Sequence, residues 1–409
     1  MSVKRKLIIV AGAGSSIDFG MLCVEEVNNF FLKSAYPDFL LANDQNKNLY
    51  GYICEEVERH LSSSAMLHMR RKQNFEDILY VIYTLAGLHS AQAPLGAFIG
   101  IRRFPDVVHI GQLKRIDEHM LRQLGERLVD SLLNKFRKMC QEPTPHFADL
   151  KNLLAVLAEE FDVALVTTNY DDLLYRAFPQ GIETGFDLGN NDVFCQDRIL
   201  WRATWPCILH LHGSVHFDMD QRRDDFHAIH WREDLTRFHQ NSFGRNSQYS
   251  VEGNVFPTSS IIAGYGKTIQ IQRFPFRTYY SELDRLVYGS DAALFLGYGF
   301  NDVHLNNAFA DYRDSRNRPV VMIDKAPDNT LTLCSFGEGH ETARRALQIF
   351  HTPFHQMSAL GKNYPDTVKD LIAKREFERC VDPALQLSFW YNGMLEACRN
   401  PDKVLREFV

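Results

Sequence analysis

Short runs of apolar residues alternate along the chain with longer stretches in which apolar residues recur every three or four positions. The short runs predict buried strands, and the longer stretches predict amphipathic helices. The predicted strands lie at 7–10, 163–166, 207–211, 261–263, 292–296 and 319–323. Because helical patterns separate these strands, we expect an α/β fold with a doubly wound, mostly parallel, Rossmann-like sheet that helices cover on both faces.

Two stretches are too long to be ordinary connections. The residues between the first two strands exceed what a βα crossover needs and contain several helical patterns, which predicts a large helical insertion over about 24–143. Residues 217–257 are polar and irregular, which favours a flap near a cleft. Beyond a main domain over 1–334, helical patterns continue, so we expect a helical C-terminal extension over 335–409.

Composition narrows the class of protein. The 409 residues are 45% hydrophobic and carry a net charge of -6, which is typical of a globular protein and argues against nucleic-acid binding by the whole surface. Lys and Arg outnumber Asp and Glu between residues 70 and 138, so a local basic patch that binds nucleic acid stays an alternative. The eight cysteines include no C-x-x-C pair, so neither a zinc ribbon nor a redox motif is expected. No secretory signal or membrane-length apolar segment is recognised, which predicts a cytoplasmic protein without membrane contact.

The first predicted strand ends in a loop of small residues, Gly12-Ala13-Gly14-Ser15-Ser16-Ile17-Asp18-Phe19-Gly20. Small residues let the backbone approach a pyrophosphate, and the free N–H groups of the turn point toward its charge. Ser16 adds a hydroxyl group. The loop is not the dinucleotide fingerprint G-x-G-x-x-G, since Ile17 stands at the third glycine position. Taken alone, it fits a nucleotide site or an ordinary turn.

Three further polar motifs stand at the ends of later predicted strands. They are Thr167-Thr168-Asn169-Tyr170-Asp171, Leu211-His212-Gly213-Ser214 and Leu296-Gly297-Tyr298-Gly299-Phe300-Asn301-Asp302. In a doubly wound sheet the carboxyl ends of the strands border one crevice, where nucleotides bind. The glycine loop and these three motifs together predict a nucleotide site in that crevice.

In order and spacing, the motifs resemble the sirtuin family, also called the silent information regulator two family, over roughly residues 5–330. The family patterns G-A-G-x-S-x-x-x-G, T-x-N-x-D and L-H-G-S fit residues 12–20, 167–171 and 211–214. The turn at 297–300 with Asp302 looks like the variant found in bacterial immune members. Asp324 stands where the family contacts the adenosine half of its cofactor, although helix capping explains an acidic residue there equally well.

Two features of the protein-deacylating sirtuins are missing. The cysteine pairs of their zinc ribbon are absent, and Met21-Leu22-Cys23-Val24 follows the glycine loop in place of P-D-F-R. In these two features the chain resembles the branch of the family that hydrolyses NAD⁺. The resemblance implies that residues 1–334 form an NAD-binding catalytic domain, that NAD⁺ is the substrate and that no metal takes part.

The candidate site residues follow from the motifs. The predicted NAD⁺-binding residues are Gly12, Ala13, Gly14, Ser16, Gly20, Thr168, Gly213, Gly297, Tyr298, Phe300, Asp302 and Asp324. Nicotinamide leaves as a neutral molecule, so the protein has to orient the ribose rather than protonate the leaving group. Asn169 can hold ribose hydroxyls or the attacking water without adding charge, and His212 can accept a proton during the attack. Asp171 either orients the Asn169 loop, stabilises positive charge or caps the helix that begins near Leu173.

Several histidines cluster in sequence around this site. They are His210, His212, His216, His227 and His230. A metal site is disfavoured because no Glu or Cys joins them at a ligand spacing. His210 is therefore expected to be a hydrogen-bonded core residue beneath the cleft.

The sequence predicts an NAD⁺ glycohydrolase that releases nicotinamide and ADP-ribose, with a cyclic ADP-ribose isomer as a minor product. The resemblance implies an NAD-depleting effector of bacterial antiphage defence that acts by abortive infection. Oligomerisation, or a sensor encoded nearby such as an ATPase, an Argonaute-type protein or a nucleotide sensor, would activate it. The alternatives are an NAD-dependent protein deacylase, disfavoured by the missing zinc cysteines, and a non-catalytic NAD- or ADP-ribose-binding module, disfavoured by the presence of both Asn169 and His212.

Overall fold

The structure is a computed structural model and describes residues 4–35, 38–63, 74–89, 106–109, 112–179, 181–190, 192–219, 229–236, 250–251, 254–255, 259–264, 267–312, 317–326, 341–352, 354–357 and 364–408. The strands are β1 Arg5–Ala11, β2 Leu40–Leu41, β3 Asp44–Asn48, β4 Val107–His109, β5 Gln112–Lys114, β6 Phe161–Thr167, β7 Ile208–His210, β8 Phe217–Met219, β9 Ile229–Trp231, β10 Ser250–Val251, β11 Asn254–Val255, β12 Ala292–Leu296, β13 Val320–Ile323, β14 Glu378–Arg379 and β15 Leu387–Trp390. The α-helices are α1 Val24–Ser34, α2 Leu49–Ser63, α3 Phe75–His89, α4 Glu118–Gln141, α5 Phe147–Glu160, α6 Leu173–Ala177, α7 Gln196–Leu200, α8 Lys267–Gln270, α9 Phe276–Gly289, α10 Val303–Ala308, α11 Glu341–Ile349, α12 Tyr364–Lys374, α13 Gly393–Cys398 and α14 Pro401–Arg406.

A central sheet organises the fold. Within the described residues it contains seven strands in the order β14-β15-β13-β12-β1-β6-β7, and every neighbouring pair is parallel except β14 with β15. The strands β6 and β7, which follow β1 in the chain, lie on one side of it, and the later strands β12 and β13 lie on the other side. The strand order therefore reverses at β1, which creates a crevice at its carboxyl end. This arrangement confirms the predicted mostly parallel, doubly wound α/β fold.

Helices cover both faces of the sheet because its central strands are apolar on both sides. In β1, Leu7, Ile9 and Ala11 belong to one buried cluster, whereas Ile8 and Val10 belong to the other. Successive side chains of a strand point to opposite faces, so one continuous apolar run supplies both layers of the core. Helices α4 and α5 contribute to the first layer, and α9 and α11 contribute to the second.

The insertion contains the expected helices α1 to α4, but it is not wholly helical. Strands β2 to β5 form a four-stranded antiparallel sheet in the order β3-β2-β4-β5. Helix α4 begins only at Glu118, and Leu113 lies in β5. The boundary has a local cause, because the Asp117 carboxylate accepts a hydrogen bond from the backbone N–H of Met120 at 2.8 Å and caps the helix.

The stretch predicted as a polar flap, 217–257, begins with buried structure. Strands β8 and β9 pair as an antiparallel hairpin, and both Phe217 and Trp231 are fully buried. Arg137 of α4 donates hydrogen bonds to the carbonyls of Val215 and Phe217, at 3.1 and 2.8 Å, and ties the insertion to this hairpin. Residues 220–228, 237–249, 252–253 and 256–257 of the predicted flap lie outside the described residues.

Two other segment predictions are corrected. The C-terminal residues contain helices α11 to α14 but also strand β15, which pairs with β13 and buries Phe389 and Trp390 inside the central sheet. Residues 261–263, predicted as a strand, are buried but lie in a loop. The N–H of Ile262 donates to the carbonyl of His212, but the segment does not pair with any described strand of the sheet.

None of the described helices combines the length and the apolar composition that crossing a membrane requires.

Candidate active site

Two glycine turns meet at the carboxyl end of the central strands. The backbone N–H of Gly12 donates to the carbonyl of Leu296, and that of Gly14 donates to the carbonyl of Gly297, each at 3.0 Å. A Cβ atom on Gly12 would lie 2.8 Å from the Gly297 oxygen, and one on Gly297 would lie 2.2 Å from the carbonyl carbon of Gly14. Gly297 also has a φ of +52°, which glycine adopts most readily. The glycines are therefore needed for the contact between the two turns, whatever they bind.

Asn169 connects the end of β6 to the first turn. Its Nδ2 atom lies 3.0 Å from the carbonyl oxygen of Gly12, 3.1 Å from Ser15 Oγ and 2.9 Å from Ser16 Oγ. The backbone N–H of Asn169 donates to Thr167 Oγ1. All four hydrogen bonds use nitrogen atoms of this residue, so among the described residues the side-chain Oδ1 has no protein donor. That oxygen is free to accept a hydrogen bond from a ligand hydroxyl or from water.

His212 belongs to a hydrogen-bonded group of three side chains. Its Nε2 lies 2.7 Å from Asp302 Oδ2, and the Lys267 ammonium lies 3.0 Å from the same carboxylate oxygen. Burial favours the neutral form of Asp302, but the hydrogen bond with His212 and the charge and hydrogen bond of Lys267 outweigh this effect and hold the pKa of Asp302 well below the usual range. Asp302 is therefore ionised, and it links the end of β7 to the beginning of α10.

Asp171 is buried next to Asn169. Burial raises the pKa of its carboxyl group to about 6, although hydrogen bonds from the Ser16 hydroxyl and the Leu173 backbone oppose the shift. The backbone N–H of Leu173 lies 3.1 Å from Asp171 Oδ1, at the start of α6. Asp171 thus accepts a hydrogen bond at the helix start, and the same carboxylate lines the cavity described next.

These groups border one cavity of about 480 Å³, a size within the range of about 300–1,000 Å³ that is common for small-molecule sites. The predicted site residues that line it are Gly12, Ala13, Gly14, Ser16, Thr168, Asn169, Asp171, His212, Gly297, Tyr298, Asp302 and Asp324. The crevice expected at the switch point is therefore present, and residues from four separated motifs share it. What these residues bind or catalyse stays a prediction.

Three predicted site residues do not line the cavity. Gly20, with a φ of +89°, ends a short 3-10 turn against Pro145. Gly213 has a φ of +97°, and a Cβ atom there would lie 2.6 Å from the carbonyl oxygen of Ser260. Phe300 is buried among aromatic rings, 5.0 Å from the ring of Phe295. In the structure these residues shape the backbone or fill the core behind the site.

Other cavity residues were not among the predicted site residues. Lys267 comes from a short helix, and Asn74, Phe75, Glu76 and Phe136 come from the insertion. Met21, Leu22, Cys23 and Val24, noted in the sequence only as a departure from the deacylase pattern, also line the cavity. No motif marks Lys267 or Phe136, because their place depends on how distant segments pack. Sequence signals existed for Met21 to Val24, which directly follow the glycine loop, and for four lining residues within the predicted motifs: Ile17, Tyr170, Gly299 and Asn301.

The remaining histidines have different surroundings. His210 is fully buried, and burial lowers its pKa to about 3. Neither of its ring nitrogens has a hydrogen-bond partner within the described part of the chain, so the prediction of a hydrogen-bonded core histidine is wrong in that respect. His216 Nδ1 lies 2.7 Å from the Arg232 carbonyl oxygen, and its ring stacks on Trp231. A search of the described residues finds no group of three His, Cys, Asp or Glu side chains that could hold a metal ion.

Comparisons with known proteins bear on the same region. Residues 163–345 match the sequence model of a family described as the SIR2-like domain. Among solved structures, a mutant Sir2 homologue in complex with ADP-ribose is 12% identical with a TM-score of 0.37, and the match covers 85% of this chain and 92% of that one. A Sir2 homologue in complex with NAD is also 12% identical, with a TM-score of 0.36 and coverage of 85% and 89%.

A search of the curated proteins finds no match to this chain. The matched residues 163–345 include Asn169, His212, Lys267 and Asp302, whereas the glycine loop at 12–20 precedes them. The part of the chain that carries most of the polar cavity groups is therefore similar to the SIR2-like domain family.

Proposed function

We propose that this chain is an NAD⁺ glycohydrolase and that the cavity at the carboxyl end of β1 is its active site. The observation that carries the proposal is the placement of two groups on one cavity: His212, held by Asp302, and Asn169, held by the glycine loop. The similarity of residues 163–345 to the SIR2-like domain supports NAD⁺ as the ligand.

In the proposed complex, each part of the cavity contacts one part of NAD⁺. The turn at Gly12 to Gly14 lies against the pyrophosphate, since its small residues let phosphate oxygens approach the backbone, although the N–H groups of Gly12 and Gly14 already donate to backbone carbonyls. Ser16 supports this turn, because its hydroxyl contacts Asn169 and Asp171. Asp324, at the end of β13, accepts hydrogen bonds from the adenosine half. The ribose that reacts lies between Asn169 and His212, where the uncharged amide oxygen orients its hydroxyls or the attacking water.

The reaction breaks the bond between ribose C1′ and the pyridinium nitrogen. The electron pair of that bond stays with nicotinamide, which leaves neutral, while positive charge develops on the ribose. A water oxygen forms the new bond to C1′, and His212 accepts the proton that this water loses. The products are nicotinamide, ADP-ribose and one proton. Attack by an adenine nitrogen in place of water would give the cyclic isomer as a minor product.

The proposed cellular role is depletion of NAD⁺ during antiphage defence. Unregulated hydrolysis would kill the host, so we propose that the chain is inactive until it forms an oligomer or binds a sensor protein. An ATPase, an Argonaute-type protein or a nucleotide sensor encoded nearby would serve as that partner. A cytoplasmic location accompanies this proposal because the substrate pool is there.

The test measures NAD⁺ in cells that express the chain, alone and with its neighbouring genes, with and without phage challenge. We expect depletion in at least one combination and none with His212→Gln. His146→Gln is the matched control, because His146 is about half exposed and does not line the cavity. NAD⁺ that stays intact in every combination, or that falls equally with His212→Gln, would overturn the proposal.

Asn169→Ala is expected to abolish hydrolysis as well, but it also removes the Nδ2 contacts to Gly12, Ser15 and Ser16. Its folding is therefore checked by thermal unfolding, and nucleotide binding is measured by calorimetry. Nicotinamide release that requires an acylated peptide would instead identify a deacylase. NAD⁺ binding without any turnover, in every partner combination, would identify a binding module.

A further inference from the structure

We infer that Asp302 and Lys267 are positioning residues that set the protonation state of His212, so that its Nδ1 atom is the base in the cavity. The inference rests on the proposed function and concerns what controls the His212 ring in the same site. Asp302 determines which ring nitrogen carries the hydrogen, and Lys267 keeps the imidazole from gaining a second one.

The contacts of Asp302 leave neither carboxylate oxygen open to a ligand's ribose. Oδ1 accepts from the backbone N–H groups of His304 and Leu305, at 3.0 and 3.3 Å, and so caps α10. Oδ2 contacts His212 Nε2 at 2.7 Å and the Lys267 ammonium at 3.0 Å. Asp302 is also buried. Its predicted role in binding NAD⁺ is therefore replaced, in this proposal, by a role that acts through His212.

The His212 contact defines a tautomer. An ionised carboxylate can only accept hydrogen bonds, so the 2.7 Å contact requires a hydrogen on Nε2. In the neutral ring the lone pair is then on Nδ1. No described residue forms a hydrogen bond with Nδ1, and His212 lines the cavity, so in this inference Nδ1 lies on the cavity side, where water or a ribose hydroxyl would contact it.

Lys267 changes the charge balance of the pair. A carboxylate alone beside an imidazole stabilises the imidazolium ion, which has no free lone pair and cannot act as a base. The Lys267 ammonium neutralises the Asp302 charge at the same oxygen and repels a second proton on the ring. The Asp302 hydrogen bond then fixes the tautomer without committing His212 to the charged form.

Other titratable groups lie near His212, Asp302 and Lys267. Asp171 from the end of β6 and Glu76 from α3 line the same cavity. Tyr298 is buried and Tyr280 of α9 is partly buried beside Asp302, and desolvation raises the pKa of both phenols well above the usual value, so both are neutral. Lys267 is the one cation among the described residues that line the cavity.

The first experiment compares pH–rate profiles for NAD⁺ cleavage by the activated complex. For Lys267→Met we expect a loss of about tenfold at pH 6 that shrinks as the pH rises, because the ring now protonates more easily. Lys267→Arg retains the charge and is expected to restore the profile. The control is Lys47→Met, which breaks the exposed Lys47–Glu55 pair outside the cavity. A loss in Lys267→Met that is equal at every pH and appears in KM would overturn the inference, since it would make Lys267 a substrate-binding residue.

Asp302→Ser tests the tautomer. Serine is as good an N-cap as aspartate, so α10 keeps its cap, but the shorter side chain cannot reach His212. We expect kcat to fall by about 100-fold, with KM changed little, because the ring is no longer oriented. A fall in thermal stability without a change in kcat would show that Asp302 acts only as a helix cap, and it would overturn the inference.

The second readout needs no turnover. Nitrogen-15 NMR of histidine-labelled protein reports which ring nitrogen carries hydrogen, and His212→Gln assigns the signal. We expect hydrogen on Nε2 in the wild-type protein at pH 8 and a mixture of tautomers in Asp302→Ser. Hydrogen on Nδ1 in the wild type would overturn the inference even if NAD⁺ is cleaved. Conversely, a wild type that cleaves no NAD⁺ in any partner combination but carries hydrogen on Nε2 would refute the glycohydrolase and leave the His212 arrangement intact.

Discussion

The two walls of the cavity differ in chemistry and in origin. One wall is polar and consists of strand ends and turns of the central sheet, including the glycine turns, Asn169, His212 and Asp302. The other wall is mostly apolar and consists of Val27 from α1, Phe75 from the start of α3 and Phe136 from α4. The polar wall is held by specific hydrogen bonds and close backbone contacts, whereas the apolar wall is held by packing.

This difference predicts different responses to mutation. Groups fixed by short hydrogen bonds and backbone contact cannot shift without losing their partners, so substitutions in the polar wall should affect folding or chemistry steeply. Packed apolar side chains tolerate exchange for others of similar volume. Substitutions in the apolar wall should therefore change ligand affinity by smaller amounts.

The largest effect is expected for Gly297→Ala. The added Cβ would lie 2.2 Å from the Gly14 carbonyl carbon, and the residue has a φ of +52°. Backbone strain and overpacking together should lower the free energy of unfolding by about 3–5 kcal/mol, measured by denaturant titration. Gly87→Ala is the control, because nothing lies within 4 Å of its added Cβ, and there we expect unchanged or slightly increased stability. A cost below about 1 kcal/mol for Gly297→Ala would mean that the two turns can separate freely.

The next effect depends on pH and involves Asp171. Its pKa of about 6 in the folded protein exceeds the ordinary value of 3.8, so the folded state holds the proton more tightly than the unfolded state. Stability associated with this group is present below pH 4 and is lost as the pH rises toward 6. Relative to Asp171→Asn, the wild-type protein should lose up to about 3 kcal/mol between pH 4 and pH 7. Denaturation curves of both proteins across this range measure the difference, and parallel curves would show that Asp171 titrates normally.

The smallest effect is expected in the apolar wall. Phe136 packs edge-on against Tyr170, with ring centroids 5.8 Å apart. Phe136→Leu removes this aromatic contact but keeps an apolar side chain, a change of about 1 kcal/mol. We expect KM for NAD⁺ to rise about fivefold with kcat within a factor of two. Tyr288→Leu, on an exposed side chain outside the cavity, is the control. A fall in kcat at unchanged KM would show that the apolar wall contributes to the chemistry.

Much of the central sheet was predictable from the sequence. The strands β1, β6, β7, β12 and β13 are apolar runs, and such runs are buried on both faces of a parallel sheet. The strand β15 was missed because Phe389 and Trp390 lie in a short run that is equally compatible with a helix. The small sheet of the insertion was missed for a related reason: strands of two to five residues are too short to show a period.

The polar wall of the cavity was also largely predictable, because its residues directly follow predicted strands. Parallel strands place their carboxyl ends at one edge, so Asn169, His212 and the two glycine turns could be brought together from sequence order alone. Lys267 and Phe136 could not. Their segments join the cavity only through the tertiary packing of distant parts of the chain, which the local sequence does not encode.

His210 and His212 show the same division on a smaller scale. The sequence by itself determined that two histidines stand two residues apart at the end of an apolar strand, beside a glycine. Tertiary structure decided that His210 lies in the core, where burial lowers its pKa to about 3, and that His212 meets Asp302 and lines the cavity. The reason is physical: a strand's period fixes which face a side chain occupies, but its protonation depends on burial and on charges that arrive from distant parts of the chain.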